Sequence, residues 1–260
     1  MSKTIALLRS PDPGIISCEL THLPRGSIDF ELVSEQHSAY LEILKKLGIE
    51  VEMIPELKGA ADGVFVEDMA IVLDELAIIC RPGADSRRSE TSSVWVALAP
   101  HRKVIKEISQ PATLDGGDFL RVYKEIYVGH STRTNVAAFY QLTSFLKPYG
   151  YNVTTVEVTK CLHLKTAVCY LGDNTVLLNP EWVDKSHFSK MKIIEVDSSE
   201  PFAANAIRFK DTIIYASGFP GTTRKLIQAG FQVESILVSE FEKAEAGLTC
   251  LSLIFGEEKC

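Results

Sequence analysis

Five polar residues stand out by type and spacing: Asp68, Asp115, His163, Asn205 and Cys250, separated by 47, 48, 42 and 45 positions. A thiol and an imidazole are the parts of a nucleophilic catalyst, in which a thiolate attacks and the histidine hands a proton to a departing amine. Carboxylates are poor company for a thiolate, because like charge disfavours its ionisation. They make sense around a planar cation, since a guanidinium presents a fork of donors that carboxylates accept two at a time. Glu67, next to Asp68, adds a second acidic group at one of these places. The set points to attack by sulfur on the central carbon of a guanidine-like group.

Each residue alone has a plainer use. Asp68 or Asp115 can cap a turn, His163 can be a satisfied structural side chain, and Cys250 can pack as a small apolar residue. Their recurrence at matching places in repeated units argues against separate accidents. Two other chemistries fit less well. Zinc needs three or four ligands at regular spacing, which His163 and Cys169 do not supply. The loop at residues 218–224 precedes a helical stretch but lacks the spacing of a phosphate-binding loop.

The elements that must position these residues repeat along the chain. An apolar run over residues 64–73 is followed by Asp74-Glu75 and a second run at 76–80. The plan returns at 114–122 and 126–129, at 163–171 and 175–178, and at 205–209 and 212–216. A fifth unit opens at Thr249, placing Cys250 at the head of a strand over 249–255, but has no second run. The missing partner is residues 5–8, whose pairing would close a ring and remove its exposed edges. A period of this length belongs to repeat architectures, in which a unit buries its face only against its neighbours. The expected fold is α/β, a single domain over residues 1–260, with the unit openings around one central cavity. Elsewhere, residues 11–27 read as a loop with Leu20 and Leu23 as apolar tips, of a kind that can close over a site. Residues 33–47 read as a helix ended by Gly48, 49–54 as a strand, and 222–229 as a helix ended by Gly230.

Composition narrows the partners. The 260 residues carry a formal charge of −7, which disfavours nucleic acid and suits a small cation. Six widely spaced cysteines include no C-x-x-C pair, and Arg9 cuts short the N-terminal apolar run. No run is long enough to span a bilayer. The expectation is a cytoplasmic protein with reduced thiols and no membrane partner.

Seven ordered segments carry a resemblance: Phe65-Val66-Glu67-Asp68, Arg81-Pro82-Gly83-Ala84 with Ser86-Arg87-Arg88, Leu114-Asp115-Gly116-Gly117-Asp118, Arg133-Thr134-Asn135, Leu162-His163-Leu164-Lys165, Ala203-Ala204-Asn205 and Leu248-Thr249-Cys250. In this order, from Ile5 to Phe255, the chain resembles the dimethylarginine dimethylaminohydrolases of the amidinotransferase, or pentein, superfamily. The resemblance implies a five-fold pseudo-symmetric α/β propeller that hydrolyses methylated arginine to citrulline and a methylamine. It implies Cys250 as nucleophile, His163 as acid and then base, and Asp115 as the residue orienting His163. It assigns Asp68 and Glu67 to the guanidinium, Asp62 to the substrate α-amino group, and Arg87 and Arg133 to its carboxylate. Leu20 and the backbone near Ala244 would complete the enclosure, with no metal or other cofactor required, in a monomer or homodimer. Glu245-Ala246 and Leu251 depart from some relatives at the rim and beside the nucleophile. Two rivals stay open: a deiminase of unmethylated arginine or a related guanidine, and a non-catalytic ring acting as a scaffold.

Overall fold

The computed structural model describes residues 3–257. In chain order it contains β1 (Thr4–Arg9), α1 (Phe30–Lys46), β2 (Glu50–Ile54), β3 (Ala70–Val72), β4 (Ala77–Ile79), α2 (Thr91–Leu98) and β5 (Ile105–Glu107). Next come β6 (Phe119–Val122), β7 (Glu125–His130), α3 (Val136–Leu146), β8 (Asn152–Glu157), α4 (Leu164–Ala167), β9 (Val168–Gly172), β10 (Thr175–Leu178) and β11 (Lys192–Glu195). The chain ends with β12 (Ala206–Phe209), β13 (Thr212–Ala216), α5 (Pro220–Gln228), β14 (Gln232–Ile236), α6 (Ser239–Glu242) and β15 (Leu253–Gly256).

These strands form five three-stranded sheets, each an antiparallel pair extended by a parallel third strand. The repeated apolar runs are the antiparallel pairs. The third strands β5, β8, β11 and β14 escaped the sequence reading, because their faces are largely exposed and their apolar signal is thin. A helix makes the crossover between second and third strands in four sheets. In the fourth sheet a 3-10 turn, Lys185–Phe188, replaces it. β1 pairs with β15, Thr4 opposite Gly256, so the N-terminal run supplies the partner that the last unit lacks.

Strand alternation explains how the ring holds together. Side chains on a strand point alternately to its two faces, and each face here packs on a neighbouring sheet. Ile126 and Val128 of β7 join a core with Ile71 and Ile78, whereas Tyr127 joins one with Val168 and Val176. In β1, Ala6 and Leu8 pack with Ile214 and Ile236, and Ile5 and Leu7 with Ala77 and Ile79. The remaining core joins Cys169 and Leu177 to Ile213 and Tyr215. The five apolar clusters thus lie between successive sheets, and the architecture is a closed five-bladed α/β propeller. A one-residue slip in any blade would exchange its two faces, so the register is strongly specified.

Several boundaries differ from the sequence reading. α1 begins at Phe30 rather than 33, because the Asp29 carboxylate accepts from the amides of Glu31 and Leu32 and satisfies donors that open a helix. The last strand begins at Leu253, and Cys250 lies before it in a 3-10 turn, Leu248–Leu251. Asp68 likewise belongs to the 3-10 turn Val66–Met69, Asp115 stands immediately before the turn Gly116–Asp118, and His163 occupies the position before α4. The recurring polar residues sit on tight turns at the blade openings, where a turn can aim a side chain inward without belonging to a ladder. The five cysteines within the described residues are free thiols, and Cys260 lies outside that range. No helix among the described residues is long and apolar enough to cross a membrane.

Candidate active site

The turns from different blades meet at close quarters. A Cβ on Gly116 would fall 2.0 Å from the Glu67 carbonyl oxygen, and one on Gly117 would fall 2.7 Å from Nδ1 of His163. The Gly-Gly pair is therefore required by contact between the second, third and fourth blades, and is more than a local turn signal. It lets the Asp115 turn lie against both the Asp68 turn and the imidazole.

A small cavity is lined by Glu19, Asp62, Phe65, Asp68, Arg87, Arg133, Leu162, His163, Ala244, Glu245, Ala246 and Cys250. His163 is buried, and its Nε2 lies 3.0 Å from Oδ2 of Asp115, whose Oδ1 accepts from the Gly83 amide at 2.8 Å. Nδ1 of the same ring is 3.9 Å from Oδ1 of Asp68. Burial by itself disfavours a charged imidazole. The nearby Asp68, the hydrogen bond with Asp115 and the more remote Asp118 outweigh it, lifting the His163 pKa to about 9. His163 is thus an imidazolium at neutral pH, able to give a proton to a leaving amine.

Asp68 is held in its ionised form. Burial raises its pKa, but His163 and Arg87 prevail, together with the Gly117 amide 3.0 Å from Oδ1, and bring it down to about 2. Arg87 supplies Nη1 at 2.6 Å from Asp68 Oδ2, while its Nη2 reaches Glu90, 3.0 Å away, and the Phe65 carbonyl. All three guanidinium nitrogens are engaged by groups of the protein. Arg87 forms part of the cavity wall as the counter-ion of two buried carboxylates. Burial, then Glu67 and Asp68, push the Cys250 thiol well above its ordinary range. A cationic substrate beside Asp68 would offset that acid's effect and favour the thiolate.

The other residues expected at the site fall in distinct places. Asp62 and Arg133 line the cavity, and Asp62 accepts from the Glu19 amide at 3.1 Å. The buried Ala244 lines it too. Leu20 packs with Cys250 against the same apolar cluster, and the wall residue from that loop is Glu19. Glu67 faces elsewhere. Its carboxylate takes Lys165 Nζ at 2.5 Å and Thr249 Oγ1 at 2.7 Å, and it lines a second cavity of about 330 Å³. The walls of that second cavity come from the first strand of every blade, including residues 70–73, 119–121, 169–170, 206–207 and 253–254. It is the axial channel of the propeller, and adjacent acids, Glu67 and Asp68, open on different compartments. Asn205 lies outside the Cys250 cavity. Its amide donates to Thr249 Oγ1 and Lys165 O, and its oxygen accepts from Thr249 N, tying the nucleophile's turn to the segment after His163.

Sequence reasoning assigned no role to Asp118, Glu90 or Lys165. Asp118 accepts from Leu164 N and Ser131 Oγ, at 2.8 and 2.6 Å, and its position three residues after Asp115 was the available signal. Asp68, Asp115 and His163 also bring possible ligand atoms within 4.8 Å of one another. Their charge is already matched by Arg87 and by the imidazolium itself. The start of α5, near the loop considered for phosphate, accommodates the Glu200 carboxylate on the amides of Gly221 and Thr222.

Comparison with known proteins agrees with this geometry. Residues 25–245 match the family model described as N,N dimethylarginine dimethylhydrolase, eukaryotic. The chain is 34% identical to the N(G),N(G)-dimethylarginine dimethylaminohydrolase of Pseudomonas aeruginosa, over 96% of this chain and 98% of that one. It is 37% identical to the enzyme of the same name from Streptomyces coelicolor, over 97% of each. The crystal structure of a cysteine-to-serine mutant of the Pseudomonas protein complexed with citrulline superposes with a TM-score of 0.93 and 33% identity, covering 98% of this chain and 100% of that one. The N-terminal domain of the cyanobacterial arginine dihydrolase ArgZ shares the fold, with a TM-score of 0.90 at 23% identity. The chain belongs to the dimethylarginine dimethylaminohydrolase family.

Proposed function

We propose that this protein hydrolyses N-methylated arginine, asymmetric dimethylarginine or monomethylarginine, to citrulline and a methylamine. One observation carries the reading: Cys250, His163 and Asp68 open on a single cavity, with the imidazole anchored from behind by Asp115. The guanidinium enters against Asp68 and shifts Cys250 toward its thiolate, the thiol proton leaving to solvent. Sulfur bonds to the guanidinium carbon, the bond to the methylated nitrogen breaks, and His163 gives that nitrogen its proton. Water then attacks the thiouronium carbon while His163 takes a proton from it. The carbon–sulfur bond breaks, releasing citrulline and the thiol. In this reading Asp62 and Arg133, which line the cavity, receive the α-amino and carboxylate ends.

Residues 1–260 act in this reading as one catalytic unit, cytoplasmic, with its thiols reduced and requiring no metal, as a monomer or homodimer. Arg87 serves the substrate indirectly, by holding Asp68. Citrulline formation from asymmetric dimethylarginine, monomethylarginine and arginine, measured side by side, tests substrate choice. Faster turnover of plain arginine transfers the assignment to a deiminase. Folded Cys250→Ser and His163→Ala variants should form no citrulline, and undiminished turnover in both overturns the mechanism.

A further inference from the structure

The segment at residues 19–23 is fastened over the cavity by a carboxylate from the far end of the chain. Glu245 Oε1 accepts from the amides of Thr21, at 3.1 Å, His22, at 2.5 Å, and Leu23. Oε2 accepts from Thr21 as well, at 3.0 Å. Three successive amides turned toward one point form a concave anion site, and an ionised acceptor makes such bonds stronger than neutral ones. A carboxylate that merely capped a turn would serve amides two or three residues away. Here the partners are 222 to 224 positions apart.

Other contacts act on the same segment. The Glu19 amide donates to Asp62, Ser86 Oγ donates to Glu19 Oε1 at 2.8 Å, and Arg133 Nη2 donates to Thr21 Oγ1 at 3.3 Å. Asp62 and Arg133 are the groups read above as taking the two ends of an amino acid. The side chain of Leu23 lines an apolar hollow of about 180 Å³ with Phe202, Phe219 and Val238, and Glu245 forms part of its rim. Glu245 itself has a φ of 57°, a left-handed backbone that residues other than glycine adopt at some cost. The chain keeps a side chain where glycine would be easier, and that side chain bridges the loop to the segment leading to Cys250.

We infer that Glu245 is a positioning residue: its carboxylate latches the loop at residues 19–23 shut across the substrate's amino-acid end. It acts on substrate retention through the loop, because its carboxylate oxygens are taken by the amides of Thr21, His22 and Leu23. This places a substrate-retention role at the residue where the chain departs from some relatives.

The test compares wild type with Glu245→Gly and Glu245→Gln in the full chain. Glycine removes the carboxylate while suiting the φ of 57°, and glutamine keeps an acceptor without the charge. The first readout is trypsin cleavage after the exposed Arg25 in the absence of substrate, which reports local opening. We expect cleavage about tenfold faster in Glu245→Gly, with glutamine between. The second readout is steady-state turnover of asymmetric dimethylarginine. KM should rise about tenfold while kcat stays within roughly threefold, the pattern of lost binding rather than lost chemistry. The turnover arm rests on the amidine-hydrolase reading, and the cleavage arm does not. Faster cleavage at Arg25 supports the latch even if that substrate is not turned over. Unchanged cleavage in Glu245→Gly overturns it, as does a fall in kcat with KM unaltered.

Discussion

Nη1 of Arg87 lies 2.6 Å from Oδ2 of Asp68, and both side chains are buried. The pair sits beside the histidine, since the other oxygen of Asp68 is 3.9 Å from Nδ1 of His163. Arg87 also pairs with Glu90, so two acids in the interior share one guanidinium. Removing one partner of such a group strands the other charge in a medium of low polarity.

Replacing Arg87 with alanine should therefore cost about 3–5 kcal/mol of folding stability, read as a lower urea midpoint. Arg87→Lys should cost less, since an ammonium keeps the charge but cannot reproduce the planar fork. A midpoint for Arg87→Ala equal to wild type would show that the buried pair contributes nothing.

Asp115→Asn should separate orientation from folding. The amide oxygen can still accept from Gly83 N, but the amide nitrogen would face His163 Nε2, where a donor already points. Citrulline formation should drop roughly 10²–10⁴-fold, with the basic limb of the pH profile displaced toward lower pH because an anion near the imidazolium is lost. A profile superimposable on wild type would remove Asp115 from the mechanism.

The pH dependence has a definite sign. His163 has its pKa raised to about 9, against an ordinary 6.5, with Asp68 and Asp115 as the supporting groups against burial. Leaving-group protonation should fail as pH rises through about 9. The ion pair's contribution to stability is complete below the unfolded-state value near 6.5 and is lost as pH climbs through 9. Asp68, lowered to about 2, behaves oppositely: its contribution is present above pH 3.8 and disappears as pH falls through 2. NMR titration of the His163 ring carbons checks the first statement, and a midpoint at or below 6.5 contradicts it.

Gly117→Ala adds one methyl where the Cβ would meet His163 Nδ1 at 2.7 Å and Asp68 Oδ1 at 3.0 Å. The ring must move, and a displacement of about 1 Å in a catalytic group costs on the order of 10² in rate. The variant should fold and lose at least that much in kcat. Wild-type turnover would mean that the imidazole position is not critical.

Much of the fold was legible because its signals are local and repeated. The apolar runs come in short pairs, the turns between them carry Asp-Glu, Lys-Glu, Gly-Asp-Asn and Lys-Asp, and the polar openings recur at near-constant spacing. Even ring closure could be inferred, because the last unit is one strand short and residues 5–8 supply it. The third strands were hidden by their exposed faces. The 3-10 turns that carry Asp68 and Cys250 were merged with the apolar strands that follow them so closely in the chain.

Residue types and order alone determined the chemistry on offer: a thiol, an imidazole and acids suited to a flat cation, one from each of several like units. Tertiary contact decided how that chemistry is divided. Glu67 and Asp68 are neighbours in the chain, yet one pairs with Lys165 on the axial channel and the other faces His163. Arg87 was expected to meet substrate, and in the folded chain it lines the cavity while also donating to Asp68, Glu90 and the Phe65 carbonyl. The physical reason is that hydrogen bonds and ion pairs depend on distances set by packing between blades, which residues far apart in sequence do not encode pairwise. Glu245 and the amides of residues 21–23 stand at nearly opposite ends of the chain, and only the closed ring brings them within reach.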